Sequence, residues 1–256
     1  MKVVLLAGGL GTRITEESLY RPKPMIEIGG MPILWHIMKG YSFYGFHEFI
    51  ICAGYRQHMI KEWFADYFLR TCDVTFDLSN GNEIVVHNKK TEPWKVTVVD
   101  TGLNTMTGGR IKRIQKYVGD ERFFMTYGDG VCDVNLLSLL EFHQQSGKKA
   151  TLTAVQIEPR FGVLDVKNGT VRAFREKSKC DSEPINAGFM VLEPEVFAYL
   201  KDDNTIFESD PLEQLAAEGQ LSSYLHTGFW QCMDTKKEHE QLEKMWENKT
   251  APWKTW

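Results

Sequence analysis

The stretch AGGLGTRITEESLYRPKPMIEIGG, residues Ala7 to Gly30, is rich in glycine at its start, basic in its middle and nearly free of helical or strand periodicity. It follows the apolar run Lys2 to Ala7 and precedes the helical pattern Pro32 to Tyr44. A loop in this place lies at the carboxyl end of a strand, where open α/β sheets bind ligands. Irregular loops of this length in a compact domain are usually functional. The stretch therefore indicates an α/β fold with a binding site at its first loop.

Beyond this loop, short apolar or β-branched runs, most of them followed by Gly or Asp, alternate with helical patterns. Helices are predicted over Pro32 to Tyr44, Gln57 to Leu69 and Arg110 to Val118. Strands that alternate with helices predict a parallel sheet flanked by helices. The predicted strands are Lys2 to Ala7, Glu48 to Ala53, Lys95 to Val99, Phe123 to Tyr127 and Ala150 to Ile157.

The second half of the chain has shorter predicted strands, which indicate a mixed region of the sheet toward the C-terminus. We predict one Rossmann-like α/β domain over residues 1–256, with a mixed, mainly parallel sheet flanked by helices. The elements predicted in this half are the strands Val163 to Val166, Thr170 to Arg175, Ile185 to Leu192 and Leu221 to His226 and the helices Pro211 to Glu218 and Lys236 to Glu247.

Composition limits the classes of function. The chain has 256 residues, 43% hydrophobic and 25% charged, enough for one large core. A net charge of −4 and a pI near 6.0 argue against general nucleic-acid binding. The five cysteines have no C-x-x-C spacing, so they indicate neither a disulfide framework nor a zinc site. Because the first apolar run is too short for a signal peptide and no stretch has the length of a membrane span, we predict a soluble cytoplasmic protein without a membrane partner.

The opening loop has the features of a phosphate-binding segment. Gly8, Gly9 and Gly11 let backbone N–H groups approach a polyanion closely, and Thr12 and Arg13 add a hydroxyl and a fixed positive charge. Two common nucleotide patterns fail here, and this weighs against a dehydrogenase. The dinucleotide pattern G-x-G-x-x-G would need a third glycine at position 14, and no Gly-Lys-Ser/Thr follows for a P-loop.

The remaining pattern is G-G-x-G-T-R, followed by Pro22-Lys23-Pro24. The two prolines favour an extended backbone that aims Lys23 back toward the glycines. This opening resembles that of the sugar-1-phosphate nucleotidylyltransferases. The likeness continues in family order over nearly the whole chain, in Tyr127 to Gly130, Arg160 to Val163, Glu176-Lys177, Ile185 to Gly188 and Phe229 to Thr235.

Within the family, the chain is most similar to the branch that joins CTP and glucose 1-phosphate, on the stretches Glu92 to Trp94, Val99 to Gly102 and Ala251 to Trp256. The resemblance implies that a sugar 1-phosphate attacks the α-phosphorus of the nucleotide and that pyrophosphate leaves. It also implies that the protein supplies activated sugar for the synthesis of deoxysugars and surface polysaccharides, O antigen included. The expected parts of the domain are a nucleotide-binding part (about 1–130), a sugar-phosphate and metal part (about 131–235) and a C-terminal helix and tail (236–256).

Both reactants are anions, so the site must neutralise repulsion and hold them in line. We assign Arg13 to the triphosphate, because its planar fork binds phosphate oxygens bidentately, and Lys23 to the reacting phosphates; the alternative for both is a solvated basic loop. By resemblance, the nucleotide-binding residues are Leu6, Ala7, Gly8, Gly9, Leu10, Gly11, Thr12, Arg13, Thr105, Arg110 and Gly128.

Mg²⁺ is the expected cofactor, since this hard ion takes few carboxylates and keeps water and phosphate ligands. We predict that Asp129 and Asp234 hold it; the alternative for Asp234 is an N-cap of the last helix. The resemblance places Gly162, Glu176, Lys177 and Asn186 in the sugar-phosphate pocket. For Glu176 and Lys177 the alternative is an exposed hairpin pair, and Ser178 stands where many relatives have proline.

Arg110 is predicted to read the base, because its donors suit the O2 and N3 acceptors of cytosine, whereas uracil and thymine carry a proton on N3. Alternatively, Arg110 opens a helix and faces solvent. Uridylyl or thymidylyl transfer and a non-catalytic nucleotide-sugar binding protein stay open as functions. The resemblance also implies a homo-oligomer, for instance a hexamer, with the tryptophan-rich C-terminal end as a candidate contact, and His36 is expected to be a core or interface residue.

Overall fold

The computed structural model describes residues 1–11, 20–88, 91–157, 163–175 and 183–256. No helix in these ranges is long and apolar enough to cross a bilayer. Their strands are β1 (Lys2–Ala7), β2 (Glu27–Ile28), β3 (Met31–Pro32), β4 (Glu48–Ala53), β5 (Asp73–Asp77), β6 (Glu83–His87), β7 (Lys95–Asp100), β8 (Phe123–Tyr127), β9 (Gly130–Cys132), β10 (Ala150–Val155), β11 (Val163–Lys167), β12 (Thr170–Arg175), β13 (Ile185–Asn186), β14 (Met190–Leu192), β15 (Leu221–His226) and β16 (Trp230–Cys232). Their helices are α1 (Ile33–Phe43), α2 (Gln57–Ala65), α3 (Tyr67–Thr71), α4 (Thr107–Arg113), α5 (Gln115–Val118), α6 (Leu136–Ser146), α7 (Asp210–Ala217) and α8 (Lys236–Glu247), with 3₁₀ turns at Lys23–Met25 and Pro194–Tyr199.

The central sheet is mixed and mainly parallel, as predicted. Its strand order is β13-β10-β14-β8-β1-β4-β7, and β15 also pairs with β10. Strand β1 pairs in parallel with β4 and β8, and β7 continues this parallel group beyond β4. The antiparallel β14 links β8 to β10, which pairs in parallel with β15. The carboxyl ends of β1, β4 and β8 therefore meet at one edge of the sheet.

Strand β1 is buried on both faces, which explains why its sequence is a continuous apolar run rather than an alternating one. Val3 and Leu5 pack into one hydrophobic core, and Val4 and Leu6 pack into another on the opposite face. The first core contains the apolar face of α1, and the second contains apolar residues of α4, α5 and α7. Helices therefore cover both faces of the sheet and leave its carboxyl edge open.

The C-terminal tail packs on the body of its own chain. Trp253 is only 2% exposed and lies in the first core. Its indole N–H donates to Nδ1 of His36 at 3.4 Å, and the ring of Trp256 lies edge-on to that of Trp35 at 5.8 Å. His36, which is 1% exposed, is a core residue, one of the two locations predicted for it.

Several helix and strand bounds differ from the prediction. The helix predicted over Gln57 to Leu69 divides at Asp66 into α2 and α3, because Asp66 leaves helical geometry with φ −98° and ψ 12°. The helix predicted over Arg110 to Val118 begins earlier, at Thr107, and divides into α4 and α5. The strand predicted over Ile185 to Leu192 is interrupted at Gly188, whose φ of 75° lies in the left-handed region that favours glycine.

Helix α6 and the ribbon of β5 and β6 are among the elements that were not predicted from the sequence. Helix α6 begins after Asn135, whose side chain accepts hydrogen bonds from the N–H groups of Leu137 and Ser138. Its buried residues Leu136, Leu139 and His143 follow helical spacing, so the periodic signal was present in the chain. The ribbon of β5 and β6 pairs only with itself among the described strands, and its mostly exposed residues give little alternation of apolar and polar positions.

Candidate active site

A cleft of about 670 Å³ opens at the carboxyl edge of the sheet. The loop after β1 forms one wall, α4 and the loop before it form a second, and the segments after β8 and β16 form the floor. Its polar and charged lining residues are Lys23, Thr105, Thr107, Arg110, Tyr127, Asp129, Asn186, Glu208 and Asp234. The cleft thus brings together groups that lie far apart in the sequence.

The glycine loop reaches the cleft through its backbone. Gly9 has open space where a Cβ would stand, so its backbone can be approached closely. Gly11 has φ +67°, a conformation that residues with a Cβ rarely adopt. Of the residues predicted here, Leu10 is half exposed, and Leu6, Ala7, Gly8, Gly9 and Gly11 line the cleft.

Lys23 lies in the cleft and contacts two carboxylates. Its Nζ donates to Oδ2 of Asp129 at 2.6 Å and also to Oδ1 of Asp234. Only 10% of the Lys23 side chain is exposed. Burial disfavours the ammonium, but the two carboxylates outweigh burial and raise the pKa of Lys23. The segment Lys23–Met25 is a 3₁₀ turn, so the prediction of an extended backbone at Lys23 was wrong.

Asp129 and Asp234 are brought together by the pairing of β9 with β16. Asp129 follows β8, and its carbonyl accepts a hydrogen bond from the N–H of Met233 at 2.9 Å. Asp234 does not cap α8: the N-cap is Thr235, which forms a capping box with Glu238. The N-cap alternative for Asp234 was therefore wrong, and its carboxylate faces Lys23 instead.

The pair of carboxylates fits a divalent cation. Both side chains are partly exposed, and both form an ion pair with the ammonium of Lys23. The ammonium therefore lies where a metal cation would bind. Two carboxylates in an open cleft give a hard-oxygen site with room for water and phosphate ligands, the type that Mg²⁺ prefers. The residues that would hold the ion are therefore Asp129 and Asp234.

Arg110 is buried in the wall of the cleft, with 5% of its surface exposed. Its Nη1 donates to Oγ1 of Thr101 and to the carbonyl of Gly102, both at 2.7 Å, and its Nη2 donates to the carbonyl of Leu103 at 3.2 Å. A Cβ on Gly8 would lie 2.1 Å from Nη1, so a larger residue there would displace the guanidinium from its present position. The alternative that Arg110 opens a helix and faces solvent was wrong, and burial lowers its pKa without removing its charge.

Three further predicted residues line the same cleft. Thr105 is 7% exposed, in the loop before α4. The N–H of Gly128 donates to the carbonyl of Leu6 at 2.9 Å, and a Cβ at this position would lie 3.0 Å from that carbonyl oxygen, a tight contact. Asn186 is in β13, and its Oδ1 accepts a hydrogen bond from the N–H of Gly188 at 2.9 Å. Thr12, Arg13, Gly162, Glu176 and Lys177 lie outside the described residues.

Of the polar and charged residues that line the cleft, three were not assigned from the sequence: Thr107, Tyr127 and Glu208. The hydroxyl of Tyr127 donates to Oε1 of Glu208 at 2.6 Å, and that of Thr107 donates to Oε2 at 2.5 Å. Tyr127 belonged to a quoted motif without a role, and Glu208 lies in a segment with no recognised pattern. These contacts join residues 81 and 101 positions apart, which no local spacing predicts.

A second group of potential metal ligands, Cys132, Asp133 and His226, occurs in the described part of the chain. Oδ1 of Asp133 accepts hydrogen bonds from Nε2 of His226 at 2.8 Å and from the N–H of Phe229 at 2.7 Å. These contacts hold the turn between β15 and β16 against β9. We therefore assign the group a structural role.

The chain is similar to known nucleotidyl transferases in sequence and in fold. Residues 2–246 match the family model described as Nucleotidyl transferase. The chain is 54% identical to the glucose-1-phosphate cytidylyltransferase of Salmonella typhimurium and 46% identical to the probable glucose-1-phosphate cytidylyltransferase of Bacillus subtilis, each over the full length of both proteins. A solved structure of UDP-glucose pyrophosphorylase from Acinetobacter baumanii matches with a TM-score of 0.71 and 18% identity, over 98% of this chain and 95% of that one. At such identity the structural match bears on the fold alone.

Proposed function

The chain belongs to the nucleotidyl transferase family, and on this basis we propose that it transfers a cytidylyl group from CTP to α-D-glucose 1-phosphate, giving CDP-glucose and pyrophosphate. The observation that carries the proposal is the 54% identity, over both full lengths, to a glucose-1-phosphate cytidylyltransferase. The geometry of the cleft supports it, because the ammonium of Lys23, a pair of carboxylates and the buried Arg110 meet at the carboxyl edge of the sheet.

The proposed reaction is an in-line displacement at the α-phosphorus of CTP. A phosphate oxygen of glucose 1-phosphate forms the new P–O bond, and the bond to pyrophosphate breaks. The sugar phosphate is already ionised near neutral pH, so no residue has to act as a general base. Catalysis then depends on positioning and on charge neutralisation.

Lys23 is proposed to stabilise the reacting phosphates. Its ammonium is held at the floor of the cleft by Asp129 and Asp234, and it is the group best placed there to exchange carboxylate for phosphate oxygens. The sequence assigns Arg13 to the triphosphate and Lys177 to the sugar phosphate, and those roles remain predictions. A bound Mg²⁺ on Asp129 and Asp234 would neutralise phosphate charge.

Arg110 is proposed to select cytosine. Nη1 of Arg110 and one hydrogen of its Nη2 donate to other residues. No acceptor for its Nε lies in the part of the chain that the structure describes. Nε and one Nη2 hydrogen lie on one edge of the planar guanidinium, and such an edge suits two adjacent acceptors. Cytosine offers O2 and N3 as such a pair, whereas the proton on N3 of uracil and thymine opposes a donor.

We propose further that the protein acts in the cytoplasm as a homo-oligomer. The cysteines in the described ranges are free thiols, as expected of a reducing compartment. Two hairpins outside the central sheet, β5–β6 and β11–β12, expose apolar side chains, which favours an interface between subunits. Those side chains are Phe76, Leu78 and Ile84 in one hairpin and Val166, Val171 and Phe174 in the other. Light scattering on the purified protein would measure the assembly.

The experiment that tests the activity is pyrophosphate release from purified protein with Mg²⁺, glucose 1-phosphate and each nucleoside triphosphate in turn. We expect a strong preference for CTP. Preference for UTP or dTTP would keep the chemistry but overturn the base assignment. No release with any pair would favour a non-catalytic nucleotide-sugar binding protein.

A further inference from the structure

Glu208 is a carboxylate in the cleft that the chemistry described above does not use. It lies in the segment before α7, is half-buried and lines the cleft between Thr107 and Tyr127. Each of its oxygens accepts one hydroxyl hydrogen, Oε1 from Tyr127 and Oε2 from Thr107. Among the described residues, no lysine or arginine forms an ion pair with it. A carboxylate whose two oxygens each accept from a hydroxyl group is a fixed acceptor in the cleft.

The bond from Tyr127 has a defined direction. The hydroxyl oxygen of Tyr127 lies 2.6 Å from Oε1 of Glu208, and the phenol donates this bond because a carboxylate oxygen accepts. Because its single hydrogen points to Glu208, the phenolic oxygen can only accept from its other neighbours. The side-chain amide of Asn186 lies on that side, with Nδ2 3.5 Å from the phenolic oxygen.

The network therefore extends from Glu208 through Tyr127 to Asn186. The Oδ1 of Asn186 accepts from the N–H of Gly188, which leaves it one lone pair and one amide hydrogen for a ligand. A donor and an acceptor on one rigid amide match a sugar hydroxyl, which is both. At the other end, Thr107 donates to Glu208 and accepts from the N–H of Phe207 at 2.9 Å, so the carboxylate itself is held in place.

We propose that Glu208 is a positioning residue for the sugar. It fixes the proton of Tyr127, and Tyr127 in turn orients the Asn186 amide toward the hydroxyls of the sugar 1-phosphate. The proposal rests on the proposed function, because it takes a sugar 1-phosphate as the ligand. It predicts that Glu208 sets the affinity and selectivity for the sugar and leaves the affinity for CTP nearly unchanged.

The test is steady-state kinetics of Glu208→Ala, Glu208→Gln and Tyr127→Phe. We expect Glu208→Ala to raise KM for glucose 1-phosphate about tenfold, the size of a lost charge-assisted hydrogen bond, with kcat and KM for CTP within about twofold. Its preference for glucose 1-phosphate over the galactose and mannose 1-phosphates should fall. Glu208→Gln retains an acceptor for Tyr127 and should restore most of the affinity for the sugar phosphate.

A double-mutant comparison separates positioning from folding. Tyr127→Phe should reproduce the rise in KM of Glu208→Ala, and the double variant should show no further rise, since both act on one network. Glu213→Ala removes a carboxylate from the exposed surface of α7 and serves as the matched control. Equal increases in both KM values, accompanied by a lower Tm, would assign Glu208 a structural role only and overturn the proposal.

Two outcomes distinguish this inference from the function on which it rests. If the wild-type protein releases pyrophosphate from CTP and glucose 1-phosphate but Tyr127→Phe has wild-type KM values, the positioning role is wrong and the function stands. If the wild-type protein is inactive with every pair of substrates, the proposed function fails and the inference fails with it.

Discussion

Lys23 is the residue on which the proposed chemistry depends most. We expect Lys23→Met to lower kcat by about 10²- to 10³-fold, the usual loss when one stabilising donor is removed from a transition state. Circular dichroism should show an intact fold, because the lost contacts lie in an open cleft. Lys61→Met, at an exposed position of α2, is the matched control. Turnover near that of the wild type would exclude Lys23 from the mechanism.

The same variant has a second expected effect. In the substrate-free protein, the ammonium of Lys23 occupies the two carboxylates proposed to bind the cation. Its removal leaves two like charges that a divalent ion would neutralise. Binding of Mn²⁺ to the substrate-free protein, followed by electron paramagnetic resonance, should therefore be tighter in Lys23→Met. Weaker binding would contradict the assignment of Asp129 and Asp234.

Arg110 is the residue expected to select the base. Arg110→Lys keeps a positive charge but loses the planar pair of donors, so we expect the ratio of kcat/KM for CTP to that for UTP to fall about tenfold or more. Arg113→Lys is the control, because Arg113 lies on the same helix but is exposed and paired with Asp203. Equal losses for CTP and UTP would rule out base reading by Arg110.

Site residues could be predicted from the sequence only where a motif contained them. Lys23 and Asp234 are 211 positions apart, and their joint assignment came from the resemblance, since no periodicity relates them. Glu208 had no motif, so its contact with Tyr127 emerged only from the fold. The burial of Arg110 could not be predicted from the sequence either, because its guanidinium occupies the space that a side chain at Gly8 would fill.

Helix α1 and the C-terminal tail are joined through His36, and this contact is sensitive to pH. Burial lowers the pKa of His36 to about 4, whereas an unfolded histidine titrates near 6.5. The unfolded chain thus binds a proton first as the pH falls. The stability that depends on a neutral His36, about 3 kcal/mol, is complete above pH 6.5 and is lost progressively between pH 6.5 and 4.

Urea unfolding at pH 7.0 and pH 4.5 measures this effect. The wild-type protein should lose more stability on acidification than His36→Gln, which cannot titrate at that position. His58→Gln, at an exposed position of α2, should behave like the wild type. Equal losses in all three proteins would show that His36 does not control acid stability.

Elements with a strong local signal were predicted well, and those stabilised mainly by tertiary contacts were not. Strands β1, β4 and β8 have the predicted bounds because each is a short apolar run buried on both faces. The break in the strand predicted over Ile185 to Leu192 depends on the left-handed Gly188 and Phe189, and apolar patterning does not encode it. The 3₁₀ turn at Lys23 is closed by the hydrogen bond from the N–H of Ile26 to the carbonyl of Lys23 at 3.0 Å, which apolar patterning likewise does not encode.

At the scale of the whole molecule, the parallel half of the sheet supplies the glycine loop and Arg110, and the C-terminal half supplies Asn186, Glu208 and Asp234. Asp129 lies at the junction, immediately after β8, and its neighbouring backbone pairs with the segment that leads to Asp234. Both halves must therefore be folded before the site exists. This explains why the resemblance extends over nearly the whole chain rather than over the first loop alone.

The central claim is that the oxygen of a sugar phosphate attacks the α-phosphorus of CTP in this cleft. The most direct test uses glucose 1-phosphate labelled with ¹⁸O in its phosphate oxygens, followed by mass spectrometry of both products. The account predicts that all label is found in CDP-glucose and none in pyrophosphate. Label in the released pyrophosphate, or a failure to form CDP-glucose while CTP is consumed, would contradict it.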